Sequence, residues 1–107
     1  MRIKTLTTTD ASGGATFSSI LPVNWRQAPF NIGVQVDITG VASVTVQLTM
    51  SNILGGETPV WFSHATLAAL AADTQGSITT PVTAIRITQA SGAGSSITTI
   101  VQGNSDV

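Results

Sequence analysis

Residues 30–50, FNIGVQVDITGVASVTVQLTM, constrain the fold more than any other stretch of the chain. Ile32, Val34, Val36 and Ile38 fall on one side of an extended segment, and Gly33, Gln35, Asp37 and Thr39 fall on the other. After Gly40-Val41-Ala42 the alternation resumes, with Val44, Val46, Leu48 and Met50 set against Thr45, Gln47, Thr49 and Ser51. A period of two built on β-branched residues describes a half-buried strand. Two such runs across a short Gly-containing loop predict a β-hairpin. One face feeds a core and the other is polar, as in a β-sandwich or barrel.

The same kind of pattern recurs near the C-terminus. Val82–Ala90 reads as a strand with Thr83, Ile85, Ile87 and Gln89 on one face and Val82, Ala84, Arg86 and Thr88 on the other. SGAGS at 91–95 is a tight loop and SITTIVQ at 96–102 returns, so residues 82–102 read as a second hairpin. Residues 15–20 form a short strand whose expected core residue is Phe17, ended by Pro22, which has no ladder donor. Residues 2–9 alternate imperfectly. Ile3 and Leu6 do not share a face, so this stretch is expected to be an edge strand or an ordered arm. ATLAALAAD at 65–73 is the one helix-like stretch, with Thr66 as a cap and Leu67, Leu70 and Ala71 on one face. At about two turns it would be a lid, too short to stand as an independent helix. The expected fold is therefore all-β: a single-domain antiparallel β-sandwich, jelly-roll-like, with one short helix near residues 65–73. Residues 1–14 would be the edge strand or arm, 15–103 the sandwich, and 104–107 a polar tail.

Composition bears mainly on the surface. A chain of 107 residues is one domain. It can bury roughly two thirds of its unfolded surface without a metal or disulfide staple. Charged residues make up 8%, against about 25% in an ordinary soluble domain. The polar surface must be chiefly Thr, Ser, Gln and Asn, groups far less costly to desolvate than ions. Such a surface suits coverage by copies of the chain or by a partner. A net charge of −1 argues against nucleic acid, whose phosphates call for clustered Lys and Arg. No apolar run approaches a membrane span, and no apolar stretch follows Met1-Arg2-Ile3-Lys4, so neither a membrane partner nor a secretory leader is expected.

Residues that could carry chemistry are few. With no cysteine, thiolate catalysis and Cys-ligated zinc are excluded. Asp10, Asp37, Glu57, Asp73 and Asp106 are scattered, with no spacing that marks a carboxylate pair or a metal set. His64 is the only histidine and lacks a recognisable orienting carboxylate or nucleophile, so a hydrogen-bonded structural role is expected. No phosphate loop, HExxH or nucleophile elbow occurs. No catalytic residue, cofactor or metal is expected, and no enzyme. Trp25 and Arg26 admit two readings: an exposed stacking platform with a planar donor fork, or a cap on the sandwich with Arg26 paired to Asp37 or a neighbouring chain. Trp61 and Phe62 must point to opposite sides of an extended segment, one to the core and the other under a loop or partner.

An aromatic-proline lead into FN-x-G at Pro29–Gly33 is followed by TVQLT at Thr45–Thr49 and WFSH at Trp61–His64. PVTAIRITQ at Pro81–Gln89, a Gly-rich turn and a closing T-x-I-V-Q-G strand complete the pattern. In this pattern residues 24–103 resemble small virion proteins of tailed bacteriophages. The resemblance implies a β-sandwich subunit of the particle, and in some relatives a decoration or cement protein bound outside the capsid as an oligomer. It carries no catalytic residue. For this chain it implies a location on the capsid surface after assembly in the host cytoplasm. The partners would be further copies of the chain, as a trimer for example, and the major capsid protein. Ile3, Leu6, Trp25, Arg26, Trp61 and Phe62 are the expected interface residues. A receptor- or glycan-binding module of a tail or spike, with Trp25 and Trp61 as sugar platforms, is the alternative, as is a head–tail connector component.

Overall fold

The computed structural model describes residues 2–23, 31–52 and 55–102, with the side chain of Arg2 excepted. Trp25, Arg26 and the 104–107 tail lie outside the described residues. Nine strands follow one another: β1 (Arg2–Thr9), β2 (Thr16–Phe17), β3 (Leu21–Pro22), β4 (Ile32–Thr39), β5 (Ser43–Thr49), β6 (Phe62–Ser63), β7 (Thr74–Ile78), β8 (Ala84–Ser91) and β9 (Ser95–Gln102). They form two antiparallel sheets, ordered β1-β9-β4-β7 and β2-β8-β5-β6, with β3 also paired to β8. A four-strand and a five-strand layer woven in this order make a jelly roll, with β3 an addition to its eight strands. The core lies between them. Leu6, Ile32, Val34, Val36, Ile78 and Ile100 come from the first sheet, and Val44, Val46, Ile85 and Ile87 from the second.

Both expected hairpins are instead arches. The alternation of 32–39 and 43–48 is as read, although beyond it Thr49 is buried and Met50 exposed, the reverse of the expected faces. However, β4 pairs with β7 and β9 while β5 pairs with β6 and β8. β8 and β9 likewise belong to opposite sheets. Two strands with one apolar face each can lie side by side or fold face to face across a core, and the period-two pattern is the same in both cases. The loops decide between them. Residues 40–42 and 92–94 cross the sandwich stacked on each other, with Gly94 N–H donating to Val41 O at 2.8 Å. A third crossing joins β1 to β2 at the same end. There Asp10 N–H donates to Gly94 O at 2.9 Å and Ala11 N–H to Gly92 O at 2.8 Å.

Gln89 ties this end together. It sits at an inward position of β8, is fully buried (0% exposed), and spends its whole amide on the crossings. Its Nε2 donates to Gly92 O and Gly94 O at 3.0 Å each, and its Oε1 accepts from Thr8 Oγ1 at 2.9 Å. Thr8 Oγ1 in turn meets Ser96 Oγ at 2.6 Å.

Residues 65–73 are not a helix. The segment runs along the free edge of β5, where Val46 N–H donates to Leu67 O at 2.8 Å and Val44 and Leu70 form a bridge. His64 shapes this path. Its Nδ1 accepts from Thr66 N–H at 3.1 Å and Leu67 N–H at 3.2 Å, and its Nε2 lies 3.0 Å from Ser77 O on β7. Leu67 enters the core against Gly76, where a Cβ would crowd its side chain. Satisfying the β5 backbone and burying Leu67 outweigh the helix preference of the alanines, which is a weak local bias.

Phe17 also departs from expectation. It lies opposite Thr88 on the outward face of β8 and is 54% exposed, so it is no core residue. Leu21, opposite Ile85, turns inward in its place, and Pro22 is tolerated because β3 is an edge strand.

Candidate binding surface

The outer face of the second sheet carries one charged side chain at its centre. Arg86 stands opposite Gln47 of β5, and its Nε donates to Gln47 Oε1 at 2.7 Å. Its Cζ lies 4.4 Å from the centroid of the Phe17 ring and 4.5 Å from that of Trp61. The register explains this convergence. Phe17 pairs with Thr88, one outward position along β8 from Arg86. Ser63 pairs with Gln47, which brings Trp61, two residues earlier, over the same face from the opposite edge. Thr45 and Thr88, paired across β5 and β8, lie beside the stack.

A guanidinium held between two rings is worth about 0.5–2 kcal/mol per ring, more when desolvated. Burial draws the Arg86 guanidinium below its ordinary value, but an arginine side chain stays charged in a protein. No carboxylate pairs with it among the described residues. The arrangement is a rigid aromatic–cation–aromatic unit in a field of hydroxyl and amide groups. Trp and Arg clustered within near-neutral surroundings are the composition of protein-binding hot spots.

The expected interface residues that are described, Ile3, Leu6, Trp61 and Phe62, do not converge on one surface. Leu6 is core, at 4% exposure, whereas Ile3 stands on the outer face of the first sheet at 56%. Trp61 faces outward over Arg86. Phe62 turns to the other side, as an extended segment requires, but reaches no core and is 63% exposed. It edges an apolar groove of about 380 Å³ between the sheets, lined also by Leu48, Thr49, Met50, Thr80 and Val82. The expectation that one of the pair would be buried in the core is therefore corrected. β6 is a two-residue strand at the edge of the second sheet, and both its residues are exposed. Gln47 and Arg86 were not singled out in the sequence, and Phe17 was expected in the core. The available signal was an arginine at the polar position of a strand otherwise bare of charge, but naming its neighbours requires the strand order.

Among the described residues no group of three or more His, Cys, Asp or Glu side chains could hold a metal ion. No helix among them is long and apolar enough to cross a membrane. Asp10 lies in an exposed turn, where bonds from the Ser12 hydroxyl at 2.6 Å and the Ser12 amide at 3.3 Å hold its carboxyl below the usual value.

No protein-family model matches the sequence. No curated protein matches it. Among solved structures, the chain is similar to one in the structure of the infectious bursal disease virus Gx strain. The TM-score is 0.37 and the identity 18%, over 98% of this chain and 33% of that one. A chain in the structure of the Gt strain of the same virus gives a TM-score of 0.42 and 16% identity, again over 98% and 33%. The protein thus spans about a third of the length of the chains it matches. Likeness at this level is one of general form and assigns no function.

Proposed function

We propose that the protein is a bacteriophage virion subunit, a decoration or cement protein that docks on the outside of the capsid through the outer face of its second sheet. The observation that carries this reading is the Phe17–Arg86–Trp61 stack, a preformed anchor on a surface otherwise nearly free of charge. The resemblance of residues 24–103 to small virion proteins of tailed phages supports the phage assignment. Fold alone does not, because jelly rolls also serve as lectins and cupins. A docked face of standard size buries about 800 Å² per partner, and repetition over a symmetric shell adds avidity to each contact.

The test is the copy number of the protein in purified virions, measured by quantitative mass spectrometry against the major capsid protein. A ratio near one, or a simple fraction of it, is expected. A ratio typical of a tail or connector ring would refute decoration. In a binding assay on undecorated capsids, Arg86→Ala is expected to weaken binding by about 10–100-fold, the range for loss of a central hot-spot residue. The second reading, a glycan-binding module, draws on the exposed ring of Phe17 and on Trp61 at the surface. Host polysaccharide would then change tryptophan fluorescence, and a flat response across a glycan panel counts against it.

A further inference from the structure

Four sheet edges are open to solvent in a sandwich of this kind, and three of them are managed. The β2/β3 edge is broken into two-residue pieces. The β5 edge is covered by β6 and the segment through Leu70. On the β7 edge, Ser77 O is occupied by the His64 ring. β1 differs. It is eight residues long and pairs with β9 without a bulge from Arg2–Gln102 to Thr9–Ser95. Among the described residues no strand pairs with its other side, and an unpaired edge of that length is a template for another strand.

The hydrogen-bond phase of β1 follows from its end. Asp10 N–H donates to Gly94 O, so the backbone groups of even-numbered residues face β9. Those of Ile3, Thr5, Thr7 and Thr9 therefore point away from the sheet, into solvent. Their side chains stand on the exposed outer face of the first sheet. These four residues are placed symmetrically about Leu6.

We propose that β1 pairs antiparallel with β1 of a second copy of the chain, about a two-fold axis at Leu6, to make one continuous sheet across a homodimer. In this register Thr5 stands opposite Thr7 of the second copy and Ile3 opposite Thr9, each pair exchanging two N–H···O bonds. Charge selects a second copy over a foreign strand. Lys4 lies in the N-terminal half, and Asp10 follows the C-terminal end. Antiparallel self-pairing sets Lys4 opposite Thr8 of the second copy and brings that end of the strand toward the turn at Asp10 of the second copy, just past Thr9. An edge lysine ordinarily opposes strand addition. Here a second copy brings an acidic turn to the basic end of the strand, which offsets that opposition and favours self-pairing over a neutral or basic strand. The two-fold dimer replaces the trimer expected from the resemblance, and it is independent of the docking role of the second sheet.

The experiment is the mass of the protein by light scattering coupled to size exclusion, across a dilution series. The expected result is twice the chain mass, falling to the chain mass on dilution. In the double variant Thr5→Lys, Thr7→Lys, the lysines oppose one another across the axis while leaving the β1–β9 ladder intact. It is expected to be monomeric, with an unchanged circular dichroism spectrum. The matching double variant Thr5→Glu, Thr7→Glu is expected to be monomeric alone and to form a heterodimer when mixed with the lysine chain. A wild-type protein that is monomeric at its highest soluble concentration overturns the proposal. So does a trimer, a dimer whose mass the lysine pair leaves unchanged, or a mixture of the two variants that stays monomeric.

Discussion

Two buried polar side chains show how the surroundings of a residue set its worth. Gln89 is at an inward position where a leucine would be unremarkable, and its amide is spent on the 92–94 crossing and on Thr8 of β1. Gln89→Ala removes those bonds and leaves a cavity, so it is expected to cost about 3 kcal/mol, read from the urea midpoint. Thr98 is the opposite case. It is fully buried on β9, and its hydroxyl has no hydrogen-bond partner. Thr98→Val keeps the shape and removes the stranded hydroxyl. Stability is expected to rise by about 1 kcal/mol, seen as a thermal midpoint about 4–8 °C higher. Neither role can be read from residue type, since Gln89 and Thr98 are ordinary members of a chain rich in Gln and Thr.

The arches are the elements on which this fold turns. The 40–42 and 92–94 loops lie backbone on backbone, and a Cβ on Gly94 would drive into the carbonyl of Thr39 and reach 2.8 Å from Val41 N. Backbone cannot yield there without opening the crossing. Gly94→Ala is therefore expected to cost about 3 kcal/mol, with a loss of amide protection at Asp10 and Ala11, whose N–H groups bond to this loop, measured by hydrogen exchange. At Gly92 the constraint is conformational as well, since its φ of +98° lies in the left-handed region. The glycines of SGAGS were legible as a turn. That the turn spans two sheets was not, because the same residues serve a hairpin equally well. Residues 65–73 show the converse limit. Their alanines and leucines favour a helix locally, but an edge of β5 needs partners and Leu67 has a place in the core.

At the scale of the molecule, the strands pair far from their sequence neighbours: β1 with β9, β4 with β7 and β9, and β5 with β8. Loop-closure entropy must be met before such contacts form, so refolding is expected in the millisecond-to-second range, roughly as for other all-β sandwiches. Stopped-flow tryptophan fluorescence would measure it, and microsecond refolding would contradict the topology. The amino-acid sequence by itself determined that this chain is all-β. It marked the inward faces of residues 32–38 and 44–48, separated the two faces of 82–90 without saying which turns inward, and specified a surface poor in charge. These properties follow from period-two alternation and composition, which act locally. Only the tertiary structure decided that neighbouring strands face each other across the core, that 65–73 lines an edge, and that Phe17, Arg86 and Trp61 meet. Those outcomes depend on which strand lies beside which. That choice is made by three stacked crossings and one buried glutamine, through contacts between residues distant in the chain.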